Sequence, residues 1–181
     1  KQMVSKTQFA ITSEDTRYFL NGALLLLSES SMSLVATDGH RLALISTTRE
    51  GGDEGRELLP KKTLAELGRL VSEDSGVVVY EPGENHLFFN IDGRLLISRR
   101  MDDAQFPAHE KVIPKGNDKR IEFERDRLAR AIRRVALLSS ERSRAVKFKI
   151  DAGKVEISSS SPEVGEASEE LSVDYEGATI T

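Results

Sequence analysis

The string Val35-Ala36-Thr37-Asp38-Gly39-His40-Arg41-Leu42-Ala43-Leu44 sets a polar turn between two apolar alternations. A carboxylate and an imidazole two positions apart are common groups for metal ligation or acid–base work. On that reading Asp38 and His40 form the centre of a metal-dependent hydrolase, with Asp102 or Asp103 as a further carboxylate. The chain has 3 histidines, His40, His86 and His109, and none has a second ligand pair nearby in sequence. A second reading is a tight turn, in which Asp38 bonds its own backbone and Gly39 supplies an unusual φ. A third is a recognition edge, where Thr37 and Gly39 leave room for a partner and His40, Arg41 and Leu42 form its wall. The turn alone leaves all three open.

A second feature is basic. At about 100° per residue, Leu128, Ala131, Ile132, Val135 and Leu138 share one side of a helix over Asp126–Leu138, and Arg127, Arg130, Arg133 and Arg134 share the other. Such a stripe is either a solvated face or a phosphate-contacting one. The net charge of −4 does not favour nucleic acid. The placement of charge is more telling: arginines crowd Arg125 to Arg144, and acids crowd the end at Glu163, Glu166, Glu169, Glu170, Asp174 and Glu176.

These groups need elements to hold them. Arg17 to Ser46 reads as a strand meander, broken at Ser28 to Ser31. Gly51 to Glu57 reads as a loop, and Lys62 to Val71 as a helix whose Thr63 and Glu66 suit a capping box. Strand patterns return at Val77–Tyr80, His86–Ile91 and Arg94–Ser98, with turns at Pro82-Gly83 and Asp92-Gly93. Met101 to Lys119, carrying Pro107, Pro114 and Gly116, reads as an extended linker and divides the chain into domains 1–115 and 116–181. After the basic helix, Val146, Phe148 and Ile150 pair with Val155 and Ile157 across Asp151-Ala152-Gly153. Faint likeness of Arg17-Tyr18-Phe19 to Arg144-Ala145-Val146, and of Leu34–Thr37 to Ile157–Ser160, suggests a unit duplicated after ~125 residues. The class is α+β.

Composition sets outer limits. With 38% hydrophobic and 31% charged residues the chain can build a packed core. It contains no cysteine, so disulfides, thiol nucleophiles and cysteine-held metals are excluded. No apolar run approaches the roughly 20 residues of a membrane helix, and Lys1-Gln2-Met3-Val4 lacks a signal-peptide layout. The expectation is a cytoplasmic protein without a membrane partner.

Ala36-Thr37-Asp38-Gly39-His40-Arg41-Leu42-Ala43 resembles the signature of the middle domain of the bacterial beta sliding clamps, the beta subunits of DNA polymerase III. Three further blocks occur in the family's order: Arg17-Tyr18-Phe19-Leu20-Asn21-Gly22, Leu59-Pro60-Lys61-Lys62, and Phe106-Pro107 with Val112-Ile113-Pro114-Lys115. The likeness continues through Leu137-Leu138-Ser139 and spans essentially the whole chain.

The resemblance implies a DNA clamp fold, with antiparallel sheets outside and helices on a DNA-facing inner side. It implies the middle domain plus the first half of the C-terminal domain of a non-catalytic processivity factor, and it alone carries the expectation of no cofactor, metal or catalytic residue. Family members are head-to-tail homodimers that encircle duplex DNA and tether polymerase subunits, the clamp loader and repair proteins through short apolar motifs. The matching pocket positions are Arg17, Leu20, Thr37, Gly39, His40, Arg41, Leu42, Pro107, Lys111 and Val112, completed in the family by a more C-terminal segment. Lys111 stands where the family often has arginine, which weakens the case for a fork of hydrogen bonds there. Matching DNA positions are Tyr18, Phe19, Lys61, Lys62 and Arg69, to which the basic helix adds Arg127, Arg130, Arg133 and Arg134. Glu14 replaces a neutral amide found in some relatives and should repel phosphate. Leu137 and Leu138 match the subunit interface. Outside this class stand the hydrolase and a protein-interaction domain with no DNA role.

Overall fold

A computed structural model of the chain describes residues 1–12, 15–71, 76–102, 105–140 and 144–181. It divides into two compact units, Lys1–Ile113 and Pro114–Thr181.

The first unit opens with a short helix, α1 (Gln2–Ser5), and two 3-10 segments, Gln8–Ala10 and Asp15–Leu20, the second kinked at Arg17. Four strands follow: β1 (Gly22–Leu27), β2 (Ser31–Thr37), β3 (Leu42–Thr48) and β4 (Gly55–Pro60). They form an antiparallel sheet in the order β3-β2-β1-β4. Leu24, Val35 and Leu58 pack on one face with Phe106. Ala23, Leu25, Leu34, Ala36 and Leu59 belong to a separate cluster that includes Leu64 and Leu67 of α2 (Lys61–Leu70). Burial on both faces explains why Ala23 to Leu27 is continuously apolar rather than alternating. Gly22 is required where β1 meets β4, because a Cβ there would lie 2.3 Å from the Leu59 carbonyl oxygen.

A second sheet, β5 (Val78–Pro82), β6 (His86–Ile91) and β7 (Arg94–Arg99), is antiparallel in that order. Its Leu87, Phe89 and Ile91 join the cluster of α2. The β6–β7 turn holds Asp92 at φ 51° and Gly93 at φ 78°, the paired positive angles of a tight two-residue hairpin.

Three expectations in this unit are corrected. Gly55 to Glu57 is strand, not loop, in register with Leu27 to Leu25. Its apolar signal is hidden because the buried position belongs to Glu57, paired with Arg100 Nε at 2.8 Å. There is no capping box. The helix starts at Lys61 with Pro60 as N-cap, so Thr63 lies inside the first turn and exchanges a 2.6 Å hydrogen bond with Ser98 Oγ, while Glu66 turns to Arg69. The linker is not uniformly extended: Met101 bridges to Leu58, Phe106 is buried, and His109–Val112 forms a one-turn helix, α3.

The second unit consists of α4 (Arg125–Ala136) and a sheet of β8 (Lys147–Asp151), β9 (Lys154–Ser161) and β10 (Gly165–Ser172) in the order β10-β9-β8. Ala131 and Val135 of the helix pack on Val155, Ile157 and Leu171. Glu124 caps the helix, accepting from Asp126 N at 2.9 Å and Arg127 N at 2.7 Å. Strand β10 has no counterpart in the sequence pattern. Glutamates at 166, 169 and 170 conceal a strand whose buried anchor is Leu171.

Candidate functional site

The loop joining β2 to β3 holds itself together. Thr37, the buried last residue of β2, donates from Oγ1 to the Arg41 carbonyl at 2.7 Å and accepts from Gly39 N at 3.1 Å. Asp38 Oδ1 accepts from the backbone N–H groups of His40 and Arg41, each at 3.0 Å, and Oδ2 from Arg41 Nε at 3.1 Å. Gly39 takes φ 88°, and a Cβ there would meet Arg17 Nη1 at 2.7 Å. The sharp turn and the close guanidinium both demand glycine.

Both Asp38 oxygens are thus committed to the turn, which is the arrangement of a structural carboxylate. Partial burial pushes the Asp38 carboxyl up, but the N–H groups of Arg41 and His40 and the Arg41 side chain together outweigh it, leaving the group below its ordinary range. With the folded value depressed, the turn is at full strength above the unfolded carboxylate value and is lost as pH falls through the folded one. The amide resonances of His40 and Arg41 are therefore expected to stay fixed until acidification passes the ordinary aspartate range, then move together. A midpoint at or above that range would contradict the assignment. Asp103, like Glu14, lies outside the described residues, and no set of three metal-holding side chains occurs among the described ones.

His40 and Arg41 stand exposed at the tip, and Leu42 turns inward to pack with Leu24, Val35 and Phe106. Arg41 Nη2 donates to the Phe9 carbonyl at 2.7 Å, and the guanidinium lies 5.6 Å from the centre of the Phe9 ring. The structure therefore gathers Arg17, Thr37, Gly39, His40, Arg41 and Leu42, and adds Phe9, which no sequence motif marks. Leu20 is buried, Pro107 adjoins Phe106, and Lys111 and Val112 are exposed on α3. A crevice of about 750 Å³ in this unit is lined by Leu25, Leu64, Tyr80 and Phe89 among others and by none of the loop residues.

The basic positions differ in how much charge they have to offer. Lys61 and Lys62 are exposed at the start of α2; Arg69 at its end donates to Glu66 Oε2 through Nε at 2.9 Å and Nη2 at 2.7 Å. Tyr18 is exposed and stacks edge-on with Phe19 at 5.7 Å. Along α4, Arg127, Arg130, Arg133 and Arg134 all face solvent. Arg134 grips Glu169 with two hydrogen bonds, and those bonds hold the Glu169 carboxyl below its usual value. Arg130 lies 3.9 Å from Glu124. Lys62, Arg127 and Arg133 form no ion pair among the described residues. Past the helix, Leu137 is 81% exposed, whereas Leu138 is half-buried.

Comparison with known proteins gives this geometry a family. Residues 1–108 match the model for the DNA polymerase III beta subunit, central domain, and residues 110–181 that for its C-terminal domain. The beta sliding clamp of Pseudomonas putida is 38% identical over 182 residues, covering 99% of this chain and 49% of the relative. The chain spans about half the length of the curated relatives it matches. A crystal structure of the DNA polymerase sliding clamp from Pseudomonas aeruginosa superposes with a TM-score of 0.92 at 35% identity, covering 99% of this chain and 50% of that one. Another structure of that organism's clamp, bound to griselimycin, gives 0.91 at 35% identity over 99% of this chain and 49% of that one. Two consecutive domain matches, these identities and the shared fold place the chain in the bacterial beta sliding clamp family, the beta subunits of DNA polymerase III.

Proposed function

We propose that the chain works as part of a processivity factor that encircles duplex DNA and tethers polymerase subunits, the clamp loader and repair proteins through an apolar-peptide site. The observation that carries the tethering role is the self-satisfied β2–β3 loop. Its polar groups are bonded internally, yet His40 and Arg41 stay at the surface with Arg17 against Gly39. Leu42 packs with Phe106, the chain neighbour of Pro107, and supplies apolar wall; Val112, exposed on α3, would add apolar surface and Lys111 a cation. An extended peptide meets apolar surface and a few fixed donors, the usual composition of such a site. The related clamp bound to griselimycin supports a ligand-accepting surface in this family.

DNA contact falls to Tyr18, Phe19, Lys61, Lys62, Arg69, Arg127, Arg130, Arg133 and Arg134. Phosphate contact is blind to sequence, as sliding requires. Leu137, exposed beyond α4, and Leu138 suit a head-to-tail subunit contact. No helix of the described residues is long and apolar enough to cross a membrane.

Alanine at both His40 and Arg41 in the full-length protein is expected to weaken binding of a labelled pentapeptide rich in leucine and phenylalanine by at least about tenfold. The magnitude follows from losing a charged donor to a peptide oxygen. Unchanged affinity in fluorescence anisotropy would remove the loop from the peptide site.

A further inference from the structure

Phe9 is an aromatic side chain left 57% exposed, although its neighbours Ala10 and Ile11 are buried in the core. Its backbone is firmly placed. Thr7 Oγ1 donates to the Met3 carbonyl at 2.8 Å, and Ala10 N to the Thr7 carbonyl at 2.9 Å. The ring contributes little to the core, but the Arg41 guanidinium lies against it at 5.6 Å while Nη2 donates to the Phe9 carbonyl. Arg41 Nε is taken by Asp38. The guanidinium is held on three sides, and Nη1 has no partner among the described residues.

We propose that Phe9 is a positioning residue for ligand recognition. Its ring and carbonyl fix the Arg41 guanidinium so that Nη1 meets a carbonyl or carboxylate oxygen of the bound peptide. This rests on the peptide-site reading and extends it to a residue outside the loop. A fixed fork loses less conformational freedom on binding than a swinging arginine does. The ring also attracts the cation, favouring the held position about two- to fivefold at an exposed site, which caps its effect on peptide affinity at the same factor.

The test uses the full-length protein, the same pentapeptide, and Phe9→Leu, Phe9→Tyr, His40→Ala and Arg41→Gln, alone and with Phe9→Leu added to Arg41→Gln. Phe9→Leu keeps the apolar bulk and backbone carbonyl but removes the aromatic face, and is expected to weaken binding about threefold. Phe9→Tyr should restore parental affinity, and in the Arg41→Gln background Phe9→Leu should add nothing. NMR of the free protein supplies a readout independent of binding. The ring current of Phe9 should displace the Arg41 Nε–H resonance, and Phe9→Leu should return it toward its ordinary position. If Phe9→Leu binds like the parent while His40→Ala weakens binding, the positioning role is overturned and the peptide site stands. An equal loss in both arginine and glutamine backgrounds, or an unmoved Nε–H resonance, also overturns it. If neither His40→Ala nor Arg41→Gln affects binding, the peptide-site reading fails and this inference falls with it.

Discussion

Glutamine at Lys62, Arg127 and Arg133 together is expected to flatten the salt dependence of duplex binding by the full-length protein by about 2.7 units in the log–log slope. Each phosphate that the variant no longer neutralises accounts for ~0.9 of that change. Between about 50 and 200 mM salt the parent should then lose about 40-fold more affinity than the variant. None of these three side chains is in an ion pair among the described residues, although Arg127 acts on Glu169 at longer range, so their charge is more available to displace counterions. Arg134 and Arg69 are different. Arg134 is tied to Glu169 and Arg69 to Glu66, and a phosphate must compete with a carboxylate already in place. The Arg69→Gln and Arg134→Gln pair should therefore change the slope by distinctly less than two freely available cations would. Measured over a salt series, a triple variant with the parental slope would eliminate Lys62, Arg127 and Arg133 from DNA contact.

Leu24→Ala is expected to destabilise the first unit by about 3–4 kcal/mol. Leu24 is fully buried in β1, with Val35 beside it on β2 and Leu58 on β4, and Phe106 completes the cluster. Strand ladders on both sides hold the backbone, so the cavity cannot close by collapse. The thermal midpoint should fall by about 15 °C for a unit of this size. Leu95→Ala, at a site 62% exposed on β7, is the matched control and should leave the midpoint nearly unchanged. A Leu24→Ala midpoint within about 5 °C of the parent would mean that neighbouring side chains refill the space.

The elements that could be read from the sequence are those whose periodicity is carried by apolar residues. Helix α4 declares itself through Leu128, Ala131, Ile132 and Val135, and β1 to β3 through their leucines. Strands β4 and β10 escape such a reading because charged residues occupy much of each: Glu57 is buried against Arg100, and β10 carries Glu166, Glu169 and Glu170. A buried charge is stabilised by a partner distant in sequence, and no local window contains it. The capping box fails for a related reason, since Thr63 spends its hydroxyl on Ser98, 35 residues away. At the candidate site the turn is legible because Thr37, Asp38, Gly39 and Arg41 bond one another within five positions. The approach of Arg17 to Gly39 and of Phe9 to Arg41 is not, because each joins segments brought together only by the fold.

The backbone of the β2–β3 loop is held by its own hydrogen bonds before any ligand arrives, so on the proposed peptide-site reading it needs no rearrangement to bind. A loop that needs no rearrangement adds no slow step to encounter, so partners competing for it should associate at similar rates. Their ranking would then reside in dissociation, through how well each motif fills the apolar wall beside Leu42 and Pro107. On the proposed tethering role, such a loop would hand one partner to the next as quickly as the departing one leaves.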